Sequence, residues 1–208
     1  MTSARRTPIK SLRSILVFTL LASSASPQSS AQHPLPPRPG ANIGSSASIV
    51  PGNEPGEPLI LDGQVFAPDG STPVPGIYVH AYNTDAQGHY AADGRFYPPR
   101  LQGWVKTDAQ GRFQIRTVRP GHYPNARIPA HVHFGLWGAG YPFQYVDELR
   151  FADDPYLTTE DTDRATADGK FRTVAAIEKD ASGIWHVRCN LRASKTTNFP
   201  GELPDYYK

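Results

Sequence analysis

Beyond residue 58 the chain never carries an apolar run far before a turn signal interrupts it, and that rhythm leaves few folds open. "LILDGQVFA" gives way to "PDGSTPVPG", "IYVHAYN" to "TDAQG", and "GWVKT" to "DAQGR". "FQIRTV" and "AHVHFGLW" follow, the latter ending in "GAGYP", and "FRTVAAIEKDASGIWHVRCNL" reads as two strands around an Asp-Ala-Ser-Gly turn. Short alternating runs spaced ~8–12 residues apart with turn residues between them are the pattern of an antiparallel β-sandwich. The expected fold is therefore all-β, a sandwich core with long loops over residues 58–208. Only "TTEDTDRATADGK" suits a helix, a short polar one.

The segments before this region read differently. Arg5, Arg6, Lys10 and Arg13 precede an apolar run from Ile15 to Ala22, and small residues then offer cleavage sites. That order over residues 1–31 is expected to be a secretory signal peptide, too short in its apolar part to anchor in a bilayer. Export to the periplasm or the exterior follows as an expectation; the Arg5-Arg6 pair only loosely resembles a twin-arginine signal. Four of the 21 Lys/Arg and none of the 19 Asp/Glu lie in this leader, so its removal turns the net charge of +2 into about −2. No basic run of nucleic-acid type is left, which argues against a nucleic-acid partner, and nothing in the mature part calls for a membrane. Residues 32–57 are dense in Pro, Gly and Ser and are expected to bury little, as a linker or extended arm. The single cysteine, Cys189, excludes an intrachain disulfide and reads as a buried strand residue.

Within the sandwich, "RIPAHVHFG" sets His131 and His133 one residue apart on a strand. Side chains at i and i+2 share a face, roughly 6.5–7 Å apart along the chain. Such a pair either converges on one metal or packs as ordinary half-buried strand residues. The other histidines are scattered and no zinc-finger spacing exists, so any further ligands are expected to be oxygen donors. Tyr123, in the turn-rich "RPGHYP", and Tyr90, in "TDAQGHY", are candidates; either one alone also suits a corner tyrosine that hydrogen-bonds its hydroxyl.

"PGHYPNARIPAHVHF" resembles the core motif of the intradiol ring-cleavage dioxygenases, the protocatechuate 3,4-dioxygenase and catechol 1,2-dioxygenase family. Tyr82, Asp85, Gly88 and Tyr90 fall at the spacings of that family's upstream motif. "LRFADDP" resembles its strand ending in Gly-Asp-Pro, and "PVPGIYVHAY" its first core strands. The resemblance spans about residues 58–156. It implies a non-haem Fe(III) cofactor held by Tyr90, Tyr123, His131 and His133, and a catechol-type ring opened with O2 to a muconate-type diacid. A free phenol ionises near pH 10, but a directly bonded trivalent cation stabilises the phenolate at neutral pH. In the family the substrate displaces the axial tyrosinate, matched here by Tyr123. No long helical pattern precedes the core, which favours the compact protocatechuate-type arrangement, expected to self-associate into a homo-oligomer.

The chain departs from the family beside these ligands. Ile128 stands where better-known members have arginine, with Arg127 one residue earlier, and Asp147-Glu148 replaces a Thr-Gln pair. Arg127 either stabilises substrate charge or forms a surface salt bridge. Glu148 either pairs with Arg127 or Arg150, or acts as a base for the second catechol hydroxyl. Trp137, Tyr141, Phe143 and Tyr145 either wall an aromatic substrate or pack the sandwich. The competing reading is a non-catalytic transthyretin-like or adhesin-like β-sandwich binding module. A third is a related enzyme whose altered surroundings have moved it to other metal chemistry.

Overall fold

The computed structural model describes residues 35–208; the leader expected over 1–31 and the first residues of the Pro/Gly/Ser-rich segment lie outside the described residues. In chain order the strands are β1 (Ser46–Ser48), β2 (Pro58–Phe66), β3 (Tyr78–Asn83), β4 (Leu101–Lys106), β5 (Arg112–Val118), β6 (His131–Gly138) and β7 (Tyr141–Phe151). The helix α1 (Thr159–Ala167) follows, then β8 (Val174–Ala175), β9 (Ile177–Lys179) and β10 (Trp185–Arg192). They form two five-stranded sheets, β1-β5-β2-β10-β9 and β4-β3-β6-β7-β8. No helix among the described residues is long and apolar enough to cross a membrane.

Alternation explains how the sheets meet. Leu59, Leu61 and Val65 of β2, Phe113 and Ile115 of β5, and Val187 and Leu191 of β10 face Val79 and Ala81 of β3 and Val132, Phe134 and Leu136 of β6 in one shared core. Each of the larger of these buried side chains contributes about 1.5–3 kcal/mol. Cys189 is buried in this core as a free thiol, and burial pushes it up to about 12. Gly63 has a steric reason: a Cβ there would lie 2.1 Å from the Phe113 ring.

Two expectations need correction. The sandwich is not purely antiparallel: β1 runs parallel to β5, β10 to β2 and β8 to β7. Alternation reports which face of a strand is buried and is blind to strand direction, which the crossovers between sheets set. The folded unit also starts ahead of residue 58. Ser46–Ser48 pairs with β5, and Ile49, only 7% exposed, enters the inter-sheet core. The carbonyls of Leu35, Pro36 and Pro37 accept hydrogen bonds from the Tyr97 hydroxyl, the Tyr207 hydroxyl and Trp104 Nε1. Proline removes backbone donors but keeps its carbonyls, so a Pro-rich arm can still be tied down by side-chain donors.

On β3, β4 and β6, the partners of the core residues point to the outer face of the second sheet. One end of this face carries His131, His133 and Tyr82. The other carries Tyr78, Trp104 and Trp137, covered by Leu35 and Ile43 of the arm and Phe199, Leu203 and Tyr207 of the C-terminal tail.

Candidate metal centre

Two loops deliver the tyrosines. Asp85, two residues past the end of β3, accepts the backbone N–H groups of Gln87 and His89 on Oδ1, both at 3.0 Å. Its own carbonyl accepts the N–H of Gly88 and, from the other loop, of Gly121. Gly88 is required here: its φ is +86°, and a Cβ would stand 1.7 Å from the His122 carbonyl oxygen. The turn bearing Tyr90 is thus locked against the turn bearing Tyr123. Asp154, 6% exposed, ties down the histidine strand. Its Oδ2 accepts the Ala130 N–H at 2.8 Å and the His122 Nε2–H at 2.9 Å.

Four donor atoms converge. The Tyr90 and Tyr123 hydroxyls lie 2.6 Å apart; Tyr90 reaches His133 Nε2 at 2.7 Å and Tyr123 reaches His131 Nε2 at 3.0 Å. The two imidazole Nε2 atoms are 3.1 Å apart. A carbonyl can only accept, so the 2.7 Å contact of His131 Nδ1 with the Pro129 oxygen puts the proton on Nδ1 and leaves Nε2 a bare lone pair. His133 Nδ1 stands 3.2 Å from Glu148 Oε1, which favours the same tautomer. Without a metal each Nε2 can accept the proton of the phenol beside it, His133 from Tyr90 and His131 from Tyr123; with a cation among them, all four atoms turn lone pairs on it. Ligands held ~2 Å from one ion are spaced much as these four atoms are. The set of two imidazoles and two phenols therefore fits a metal, and the oxygens favour a hard, highly charged one.

The surroundings keep the phenols neutral in the absence of such a charge. Burial raises the Tyr90 phenol far above its ordinary value, with the neighbouring Tyr123 adding to it. Burial also raises Tyr123, partly offset by its hydrogen bond with Tyr90. Tyr82, paired with His133 in the sheet register, stacks on its ring with centroids 4.4 Å apart at 13°. Phe96, 72% exposed, packs against both ligand-type tyrosines, with centroids 6.1 Å from each.

A bulge brings Glu148 to this cluster. Between the pairs Val132↔Leu149 and Phe134↔Val146 the ladder advances two residues on β6 but three on β7, so Asp147-Glu148 bows out opposite His133. Donor atoms of Glu148, His131 and His133 lie within 4.8 Å of one another. Of the partners expected for Glu148, Arg150 is the one the structure supplies, at 3.5 Å. Arg127 is exposed and lies over the Tyr156 ring at 5.2 Å. The aromatics of β6 and β7 expected at the substrate divide. Tyr145 lines a cavity of about 360 Å³ beside His133, together with Tyr82 and Glu148. Tyr141 belongs to the inter-sheet core, while Trp137 and Phe143 pack in the cluster around Tyr207. Sequence reasoning passed over Asp154 and Tyr82 as parts of the site. The "DDP" and the spacing from Tyr82 to Tyr90 carried the signal without its meaning.

The profile of a protein family described as Dioxygenase matches residues 40–193. The chain is 34% identical over 122 residues to the protocatechuate 3,4-dioxygenase beta chain of Burkholderia cepacia, covering 53% of this chain and 52% of that protein. It is 28% identical over 160 residues to catechol 1,2-dioxygenase 2 of Acinetobacter lwoffii, covering 68% and 57%. The chain thus spans about half the length of the curated relatives it matches. Among solved structures, catechol 1,2-dioxygenase of Acinetobacter sp. ADP1 superimposes with a TM-score of 0.58 at 22% identity, covering 80% of this chain and 63% of that one. The dioxygenase domain of a dioxygenase carbohydrate-binding protein fusion from Streptomyces sp. SirexAA-E gives 0.54 at 24%, covering 75% and 92%.

Proposed function

Because the chain belongs to the intradiol dioxygenase family, we propose that it opens a catechol-type ring between its two hydroxyl-bearing carbons, consuming O2 and yielding a muconate-type diacid. The observation that carries this reading is the pair of imidazole Nε2 atoms 3.1 Å apart with two phenol oxygens beside them. Tyr90, Tyr123, His131 and His133 would hold a non-haem Fe(III) ion. Bound there, ferric iron supplies the Lewis acid that draws electron density from a catecholate and readies the ring for dioxygen.

The chain's own residues do the rest. Pro129 O and Glu148 Oε1 hold the two imidazoles with Nε2 inward. Tyr90, at 6% exposure, is held in place and would stay as a fixed ligand. Tyr123 is less buried, on a turn whose next residues, Pro124 and Asn125, are exposed. As a phenolate its oxygen would take the proton of an arriving catechol hydroxyl, and the exposed turn would let it give way to the substrate. Tyr82, stacked on His133, keeps that ligand from rotating and shields the site from water on one side. Reaction outside the cytoplasm, after removal of a leader over residues 1–31, belongs to the same proposal, as does self-association.

Two iron-bound tyrosinates make a protein burgundy-red. Purified protein loaded with ferric iron is expected to show a broad visible charge-transfer band that shifts on adding catechol, and to take up one O2 per ring opened. A preparation that stays colourless after ferric loading would sink the reading.

A further inference from the structure

The cavity beside His133 is unusual in its charges. Besides Tyr82, Tyr145 and Asn198, its lining holds three acids, Asp147, Glu148 and Asp161, and two arginines, Arg150 and Arg164. Both arginines already face acids. Arg150 bonds Asp161 through Nη1 and approaches Glu148 Oε2 at 3.5 Å through Nη2, while its Nε is buried without a partner, out of a ligand's reach. Asp161 is itself fixed by the N–H and hydroxyl of Thr158 in the capping box of α1. Arg164 lies 3.2 Å from Asp147 at the exposed rim. The arginines of the adjoining groove do not enter: Arg172 Nε donates to Gly169 O, and Arg192 lies over the Phe171 ring. Arg127 is over Tyr156.

The count therefore leaves one acid in excess, and Glu148 is the acid nearest the ligand cluster, with Oε1 3.2 Å from His133 Nδ1 and 4.0 Å from His131 Nε2. A catechol bound as its dianion would, together with the Tyr90 phenolate, offset the three charges of a ferric ion, so no positive charge would be left over there. A further carboxylate on the ring would lose its hydration beside Glu148, with no unpaired cation among the described cavity residues to receive it. A ring hydroxyl meets no such penalty, since Glu148 and Asn198 can accept its proton in a hydrogen bond.

Resting on the ring-cleaving reading above, we propose that Glu148 sets the substrate charge preference of this site: catechols whose other substituents are uncharged or hydroxylated are accepted, and carboxylated ones are rejected. Glu148 acts here as a specificity-determining residue, placed by the β7 bulge.

The test is an anaerobic titration of the visible band of the full iron-loaded protein with catechol, benzene-1,2,4-triol, 3,4-dihydroxybenzoate and its neutral isostere 3,4-dihydroxybenzamide. Like charges at this spacing in a partly buried site predict a dissociation constant for the benzoate at least about tenfold above those of the other three. In Glu148→Gln the benzoate-to-benzamide ratio is expected to fall by about fivefold or more. The ratio in the unaltered protein is also expected to shrink as ionic strength rises, a measurement that does not depend on the variant folding. Equal affinity for benzoate and benzamide overturns the inference, whether both bind well or both bind poorly. So does a ratio that neither the substitution nor salt changes. If none of the four compounds shifts the band, the ring-cleaving reading falls and takes this one with it.

Discussion

The outer face of the second sheet has two ends built from the same strands and opposite in character. Four residues apart on β6, His133 stands among phenols and carboxylates, while Trp137 stacks on Tyr78, with centroids 5.0 Å apart, beneath Tyr207. Tyr82 and Tyr78 repeat the contrast on β3. The difference lies in what covers each end. The Pro-rich arm and the C-terminal tail close over the aromatic end, giving it a second core. They leave the histidine end to the loops 84–100 and 119–130 and a cavity. A sheet face without a second layer is a place for packing or for chemistry, and here it is divided between the two.

The largest way to test that division is to remove one of the four proposed ligands. His133→Ala is expected to lower iron affinity by more than ~100-fold, beyond the 10–100-fold usual for outer partners of a metal site, and to abolish ring cleavage. Metal analysis and the visible band read this directly, while thermal stability of the iron-free protein changes much less. Tyr207→Ala should do the reverse. Tyr207 is fully buried and donates to Pro36 O, so its loss is expected to cost about 3–5 kcal/mol, seen as a lower urea midpoint. Molecules that remain folded keep their colour; a colourless but folded variant would show the two ends to be one unit.

His80 stands between the ends, with ring centroids 4.9 Å from Trp104 and 5.6 Å from Tyr82. Burial pulls its imidazole down to about 4, against a hydrogen bond to Gln102 that works upward. The unfolded chain takes up this proton near pH 6.5 and the folded one only near 4. Stability from this group is thus full above 6.5 and is lost as pH falls towards 4, by ~3 kcal/mol in all. His80→Phe is expected to flatten that part of the stability-against-pH curve; an unchanged slope between pH 4 and 6.5 would refute the assignment.

The smallest effect concerns the support behind the polar end. Thr158→Ala removes the cap of α1 and is expected to cost about 1 kcal/mol. It also removes one of the two contacts by which residue 158 fixes Asp161, the carboxylate that holds Arg150 beside Glu148. If the aromatic end is independent, near-ultraviolet dichroism of its tryptophans stays as it was.

Much of this was readable from the residues alone. The period-2 runs and their turn spacing identified the sandwich, because alternation follows directly from one buried face per strand. Tyr90, Tyr123, His131 and His133 could be named from their motifs, and the structure brings their donor atoms to within 2.6–3.1 Å along four contacts. The part played by Glu148 was not readable. Its direction depends on one extra residue in β7, and a bulge leaves no periodic mark. Nor could the aromatics after β6 be sorted between cavity and packing. Tyr141, Phe143 and Tyr145 differ in surroundings only through what the arm and tail lay over them.

By itself, then, the sequence determined the class of fold and named the residues of the candidate site, since both rest on local properties: alternation, turn residues, and short stretches that resemble the motifs of a known family. Only the tertiary structure decided strand direction, the anchoring of the arm, the partner of Glu148 and the charge excess of the cavity. Each of those depends on segments far apart in the chain meeting across a sheet or a loop, and no local pattern encodes who the neighbour will be.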